Sequence, residues 1–211
     1  MTDNFSISSI TPQQFDSLAV LHRQAFSNSM NARLGLGYAK KLIKWFAENP
    51  ACIALAAVDS HGRPQGYALG MPTTLSKNLS RDLAPVAAVG IISHPQLLFD
   101  REFRAVLRSR LRLLCGLGGG QAKYPPPSLP EPTISLTGIG VSPSSQGQGL
   151  GSRLVEAFES RARTMGARSV RLSVRIDNAA AIRCYEKCGW SLCPTPAELP
   201  TVRYYSKLLF A

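Results

Sequence analysis

The residues best equipped for chemistry lie in one run, Ser142-Pro143-Ser144-Ser145-Gln146-Gly147-Gln148-Gly149-Leu150-Gly151, set between an apolar stretch and a helical pattern. A helix start carries backbone N–H groups with no partner inside the helix, together with the positive end of the helix dipole. Three glycines within five residues let that backbone approach a ligand closely and adopt positive φ. These features describe a site for a phosphate or pyrophosphate, with a plain structural turn as the alternative. A dinucleotide fold requires Gly-x-Gly-x-x-Gly; here the glycines fall as Gly-x-Gly-x-Gly, with Ser152 at the last position. Asp177, the acidic residue ending the next strand, also lies farther along than that fold places it. A second glycine cluster, Gly116-Leu117-Gly118-Gly119-Gly120, lacks the order of a P-loop.

Two other groups of reactive side chains read more blandly. Cys184, Cys188 and Cys193 are spaced C-x3-C-x4-C, unlike the C-x2-C pairs of zinc ribbons, and all three histidines are distant in sequence. They are expected to pack as reduced thiols, so no metal is expected. His22 falls beside the apolar stripe of Phe15, Leu18 and Phe26 and reads as a packing or boundary histidine.

The glycine loop resembles motif A of the GNAT N-acetyltransferase superfamily, [QR]-x-x-G-x-[GA] after a strand ending in V-x-P. Here Val141-Ser142-Pro143 precedes Gln146, Gly149 and Gly151. A second block, Asn178-x-x-Ala181 followed by Tyr185-Glu186-Lys187-Cys188-Gly189-Trp190, is similar to the family's N-x-x-A-x-x-x-Y-x-x-x-G-[FW]. Gln65-Gly66-Tyr67-Ala68-Leu69-Gly70 is like its third strand, and Tyr204 to Leu208 like its last. The resemblance covers residues 1–72 and 133–211. It implies acetyl-CoA as co-substrate, with the pyrophosphate on the loop made by Gln146, Gly147, Gln148, Gly149, Leu150, Gly151 and Ser152. The edge Ile139, Gly140, Val141 would pair with the pantetheine arm and aim a backbone N–H at the thioester oxygen. Asn178 would hydrogen-bond pantetheine, Tyr185 would be the general acid, and Arg153 would complement the phosphates. The implied reaction is direct attack of a primary amine, on a small molecule, peptide or protein, on the thioester. A non-catalytic acyl-CoA sensor of the same fold is the alternative.

One departure from the family bears on mechanism. Many members carry a glutamate on the motif-A strand as general base, and Ile134 to Gly140 offers none; Glu131 precedes the strand as a weak substitute. Deprotonating a lysine of pKa about 10.4 at pH 7 costs about 4.6 kcal/mol, against about 1.4 kcal/mol for an α-amine near 8. A site without a strong base suits an acceptor of lower pKa, or takes its base from elsewhere in the chain.

The elements that must hold these residues follow from pattern. Phe5 to Ile10 reads as a strand; Thr11-Pro12-Gln13-Gln14 opens a helix through Phe26. Tyr38, Leu42, Trp45 and Phe46 mark a second helix ending near Pro50, and the apolar runs 51–58 and 65–71 form a hairpin around Asp59-Ser60-His61-Gly62. Thr133 to Val141 is a strand, Leu150 to Met165 a helix, Arg168 to Val174 a strand, and Ala179 to Cys188 a helix capped by Asp177-Asn178. Strands at 190–193 and 202–209 close the chain. The expected fold is a single GNAT-like α/β domain over 1–211, a twisted mixed sheet of about seven strands splayed near Val141, with helices on both faces.

Residues 73–132 interrupt this order as a helical and Gly/Pro-rich insertion. Phe99, Phe103, Val106, Leu107, Leu111 and Leu114 keep helical spacing, with Arg101, Arg104, Arg108 and Arg112 on the remaining surface. That segment reads as a lid over the acceptor cleft; Asp100 and Glu102 among the arginines, and no RNA-binding aromatic motif, argue against nucleic acid. The net charge of +11 attracts polyanions, coenzyme A among them. No run is long and apolar enough to span a membrane, and the first residues carry no secretory pattern, so the cytoplasm is the expected compartment. A homodimer stays open.

Overall fold

The computed structural model describes residues 5–26, 33–94, 99, 104, 129–194 and 201–210. Seven strands form one sheet in the order β1-β2-β3-β4-β5-β7-β6: β1 Ser6–Ser9, β2 Ile53–Val58, β3 Pro64–Pro72, β4 Thr133–Val141, β5 Ser169–Arg175, β6 Ser191–Leu192 and β7 Val202–Leu208. Every pairing is antiparallel except β4 with β5. Among the described residues five α-helices accompany them: α1 Phe15–Ala25, α2 Leu36–Glu48, α3 Ser76–Ser93, α4 Leu150–Thr164 and α5 Ala179–Lys187. The expected seven-stranded mixed sheet is present, and outside residues 73–132 each strand and helix read from the patterns lies within a few residues of its place.

Alternation along the strands divides the interior in two. Leu55, Ala57 and Ala68 join Ile134, Leu136, Val170 and Leu172 beneath α4 and α5, where Leu154, Val155 and Phe158 are completely buried. On the other face Ala56, Tyr67, Leu69 and Met71 pack against Leu18, Leu42, Ile43 and Phe46 of α1 and α2 and Leu83 of α3. Burying one such large side chain contributes about 2 kcal/mol.

Helix α3 lies in the segment read as an insertion and was not itself visible in the pattern. Pro85 and Gly90 stand inside it, and three of its apolar positions are small alanines, so the periodic signal is weak. Trp45 Nε1 donates to Asp82 Oδ2 at 3.0 Å and ties α3 to α2. Of the segment 97–114, only Phe99 and Arg104 are described, and the lid expectation lies outside the described residues.

Two irregularities shape the centre of the sheet. Leu69 pairs with Gly138 while Gly70 pairs with Leu136, so Thr137 is an extra residue, a bulge that leaves it unpaired and bends β4. Strands β4 and β5 pair only across Thr133–Ser135 and Ser169–Arg171, although β5 stays paired with β7 through Arg175. Beyond Ser135 the two strands part, as the expected splay requires, and the β5-facing edge of β4 is open.

Candidate active site

The glycine loop follows β4 through a 3-10 turn, Pro143–Ser145, that the hairpin holds in place. Ser142 N–H donates to Gln65 O at 2.8 Å, and Ser145 Oγ donates to Gln65 Oε1 at 3.0 Å. Gln148 Nε2 donates back to Ser144 O at 3.1 Å. Gly147 and Gly149 sit at φ 77° and 78°, the left-handed region that a side-chain-bearing residue enters only with strain. Both face open space, where a Cβ would meet nothing within 4 Å. Arg153 N–H to Gly149 O, at 3.2 Å, is the first bond to close across the start of α4. Among the described residues, the N–H groups of Gln148, Gly149, Leu150, Gly151 and Ser152 therefore have no backbone partner, at a loop whose Gln146 to Gly149 are exposed, an arrangement able to take a phosphate. Gly151 contributes differently: it is helical and lies against Cys184 of α5, and Ser152 Oγ is 3.6 Å from Cys184 Sγ.

Arg153 is turned away from this expectation. Its Nη2 donates to Phe5 O at 2.6 Å, so the guanidinium anchors the start of β1 to α4. Glu131 also has a structural partner, accepting from Thr133 N–H at 2.6 Å at the beginning of β4, whereas the splay opens at that strand's far half.

A cavity of about 550 Å³ fills the splay and continues beneath α1, α2 and α3. Leu136 to Ile139 of β4 and Ser173 to Arg175 of β5 form its floor, and Asn178, Ala181 and Tyr185 line it from α5. Asn178 Oδ1 accepts from Ala181 N–H at 3.1 Å, capping α5 as its sequence position suggested. Gly140 does not line the cavity: the Tyr67 ring lies so close that a Cβ there would stand 2.7 Å from its Cε1. Val141 is half-buried at the end of the open edge. Tyr185 packs its ring on Trp190 and Tyr205, at centroid distances of 6.0 and 6.4 Å. Among the described residues nothing hydrogen-bonds its hydroxyl. Burial, with the thiols of Cys184 and Cys188 adding to it, raises its pKa, so the proton stays on the oxygen.

The opposite wall holds a pair that sequence reasoning did not join. His22 is buried and lines the cavity, and its Nδ1 lies 2.6 Å from the hydroxyl of the fully buried Tyr67. Its ring stacks on Phe26 at 5.1 Å. Burial lowers the His22 pKa to about 4, so the ring is neutral. The two residues are 45 apart in sequence, and no local pattern links them. Cys52, Cys184, Cys188 and Cys193 are free thiols, and among the described residues no group of three or more His, Cys, Asp or Glu is placed to hold a metal. No helix of the described residues is long and apolar enough to cross a membrane.

Residues 98–190 match the profile of the Acetyltransferase (GNAT) family. The chain is 36% identical over 77 residues to the mycothiol acetyltransferase of Geodermatophilus obscurus, a match covering 36% of this chain and 25% of that protein. It is 44% identical over 61 residues to the mycothiol acetyltransferase of Streptosporangium roseum, covering 29% of this chain and 18% of that protein. The chain thus spans a quarter or less of these curated relatives. Its fold is shared with the ribosomal-protein-S18-alanine N-acetyltransferase of Escherichia coli, at TM-score 0.55 and 15% identity over 98% of this chain and 94% of the other. The GNAT match thus covers part of the chain, and the shared fold nearly all of it.

Proposed function

We propose that the chain is an acetyl-CoA-dependent N-acetyltransferase in which a primary amine attacks the thioester directly. The observation that carries this is the single cavity joining the open β4 edge, Asn178 and Tyr185, with the unpartnered N–H groups of the α4 start at the end of the same strand. Those N–H groups would take the pyrophosphate, and the Ile139–Val141 edge the pantetheine arm. An acetyl thioester is already activated, so the protein's work is to align the two reactants and stabilise the developing oxyanion. The new C–N bond forms as the C–S bond breaks; a backbone N–H beyond the Thr137 bulge faces the oxyanion. Tyr185 gives its proton to the departing thiolate, and the proton lost by the amine passes to solvent. With no carboxylate on β4, an amine of modest pKa is the favoured acceptor.

Calorimetric titration with acetyl-CoA, with NAD and ATP as controls, tests the reading. Micromolar acetyl-CoA binding is expected and should vanish in Gly149→Glu, where a carboxylate would enter the phosphate concavity and the backbone sits at φ 78°. A folded protein that binds no acetyl-CoA would overturn it. Binding without thiol release across mixed primary amines would instead identify an acyl-CoA sensor.

A further inference from the structure

The turn between β2 and β3 lies outside the cavity, yet it reaches the glycine loop through side chains. Asp59, at that turn, has a side chain only 12% exposed and is bonded on both oxygens. Its Oδ1 accepts the backbone N–H groups of His61 and Arg63, each at 2.9 Å. Its Oδ2 accepts from Arg63 Nε and from Gln65 Nε2, each at 3.0 Å. The first three bonds close the turn on itself. The fourth leads out of it, to the residue that touches the glycine loop.

Chemistry fixes the polarity of that contact. The Arg63 N–H and the other hydrogen bonds keep Asp59 ionised, and an ionised carboxylate only accepts, so the Gln65 amide turns its NH2 to Asp59. Its Oε1 is thereby left to face Ser145, whose buried hydroxyl donates to it at 3.0 Å. The Gln65 backbone takes the other end of the same 3-10 turn, its carbonyl accepting from Ser142 N–H at 2.8 Å. Gln65 therefore grips Pro143–Ser145 at both ends, immediately before Gln146 and the left-handed Gly147 and Gly149. The next residue seats the helix. A Cβ on Gly66 would stand 2.8 Å from Leu154 Cδ1 and 3.1 Å from Gly140 O, so β3 lies directly against α4 and β4.

We propose that Asp59 and Gln65 are positioning residues for the cofactor site: Asp59 orients the Gln65 amide, and Gln65 holds the glycine loop in the shape that turns its free N–H groups toward a pyrophosphate. The proposal rests on the acetyl-CoA reading above and deepens it. Neither side chain touches the ligand; both act through Ser142 and Ser145. A loop released from this grip must be reordered when the anion arrives, and that ordering lowers affinity.

Calorimetric titration of the full chain with acetyl-CoA provides the test. Gln65→Leu should bind about tenfold more weakly than wild type, the factor that one lost hydrogen bond supplies at its upper end. Ser145→Ala should do the same, and because both changes break one contact, the double variant should be no weaker than the worse single one. Gln65→Glu separates positioning from packing. Its ionised carboxylate would face that of Asp59, which raises its own pKa, and protonation restores the amide's pattern of one donor and one acceptor. Relative to wild type at the same pH, its affinity should be low at pH 8 and recover at pH 5.5, while Gln65→Leu recovers nothing. Wild-type affinity in Gln65→Leu, or a Gln65→Glu deficit equal at both pH values, would overturn the proposal alone. Failure of the wild type itself to bind acetyl-CoA would overturn the proposed function and this proposal with it, a result that neither variant can mimic.

Discussion

At Tyr185 one hydroxyl group separates a packing residue from a general acid. Its ring is held by Trp190 and Tyr205 whether or not the oxygen is present. Tyr185→Phe therefore removes a proton donor and little else. We expect kcat to fall about 100-fold, the lower end for a positioned acid, with acetyl-CoA affinity unchanged. Weakened acetyl-CoA binding at unaltered kcat would instead make Tyr185 part of the cofactor's wall. The neighbouring glycines act through backbone geometry: Gly149 by its sign of φ, Gly140 by yielding its Cβ position to Tyr67. The same tyrosine then reaches His22, so one ring buttresses the β4 edge and orients a side chain of the cavity wall.

At the scale of elements, the proposed function needs α4 fixed, so that its N-terminus keeps its aim on the cofactor's phosphates. Its anchor is Glu159, a buried carboxylate on the helix's inner face. Trp190 Nε1 donates to Glu159 Oε1 at 2.7 Å, and Lys207 Nζ donates to Oε2 at 2.7 Å, joining α4 to the β6–β7 end of the sheet. Arg163 Nη2 is farther, at 3.4 Å. Lys207→Met leaves the carboxylate short of its closest positive partner, which costs about 3 kcal/mol when a buried pair is broken. Chemical denaturation should register that loss; a change below about 0.5 kcal/mol would mean that Trp190 and Arg163 suffice. Helix α3 has the complementary role, walling the cavity with Leu79, Leu83 and Ile91.

For the whole molecule, the buried imidazole writes an acid-sensitive step into stability. The unfolded chain protonates His22 as pH falls below its ordinary 6.5, while the folded protein refuses the proton until about 4. Stability should accordingly be intact above pH 6.5, decline between 6.5 and 4, and lose about 3 kcal/mol over that window. Asp59, whose carboxylate is held down to about 2 by the backbone N–H of Arg63 first and by further hydrogen bonds, responds only below its ordinary 3.8, so the two windows are separate. Urea melts at pH 7.5, 5.5 and 4.5 measure the first. In His22→Leu the decline between 6.5 and 4 should flatten, and a decline of unchanged size would assign it to other groups.

Much of this was legible in the linear chain. The capping of α5 by Asn178, the placement of β4 at Thr133–Val141 and the glycine loop at the mouth of α4 depend on neighbours in sequence, and local patterns report local forces. The membership of Tyr185 and Asn178 in one cavity was implied by a family resemblance, not by their spacing. Three features escaped. Helix α3 was hidden by Pro85, Gly90 and three alanines that interrupt its apolar stripe; the Thr137 bulge exists only relative to Leu69 and Gly70 on the paired strand; and Arg153 found Phe5 O, 148 residues away. The sequence alone thus determined most of the elements and the place of the glycine loop at the start of α4, because backbone hydrogen bonding and apolar periodicity are short-ranged. Tertiary structure alone decided that β4 and β5 part beyond Ser135, and that His22 and Tyr67 meet in a buried chamber, because both depend on packing between elements that no sequence interval encodes.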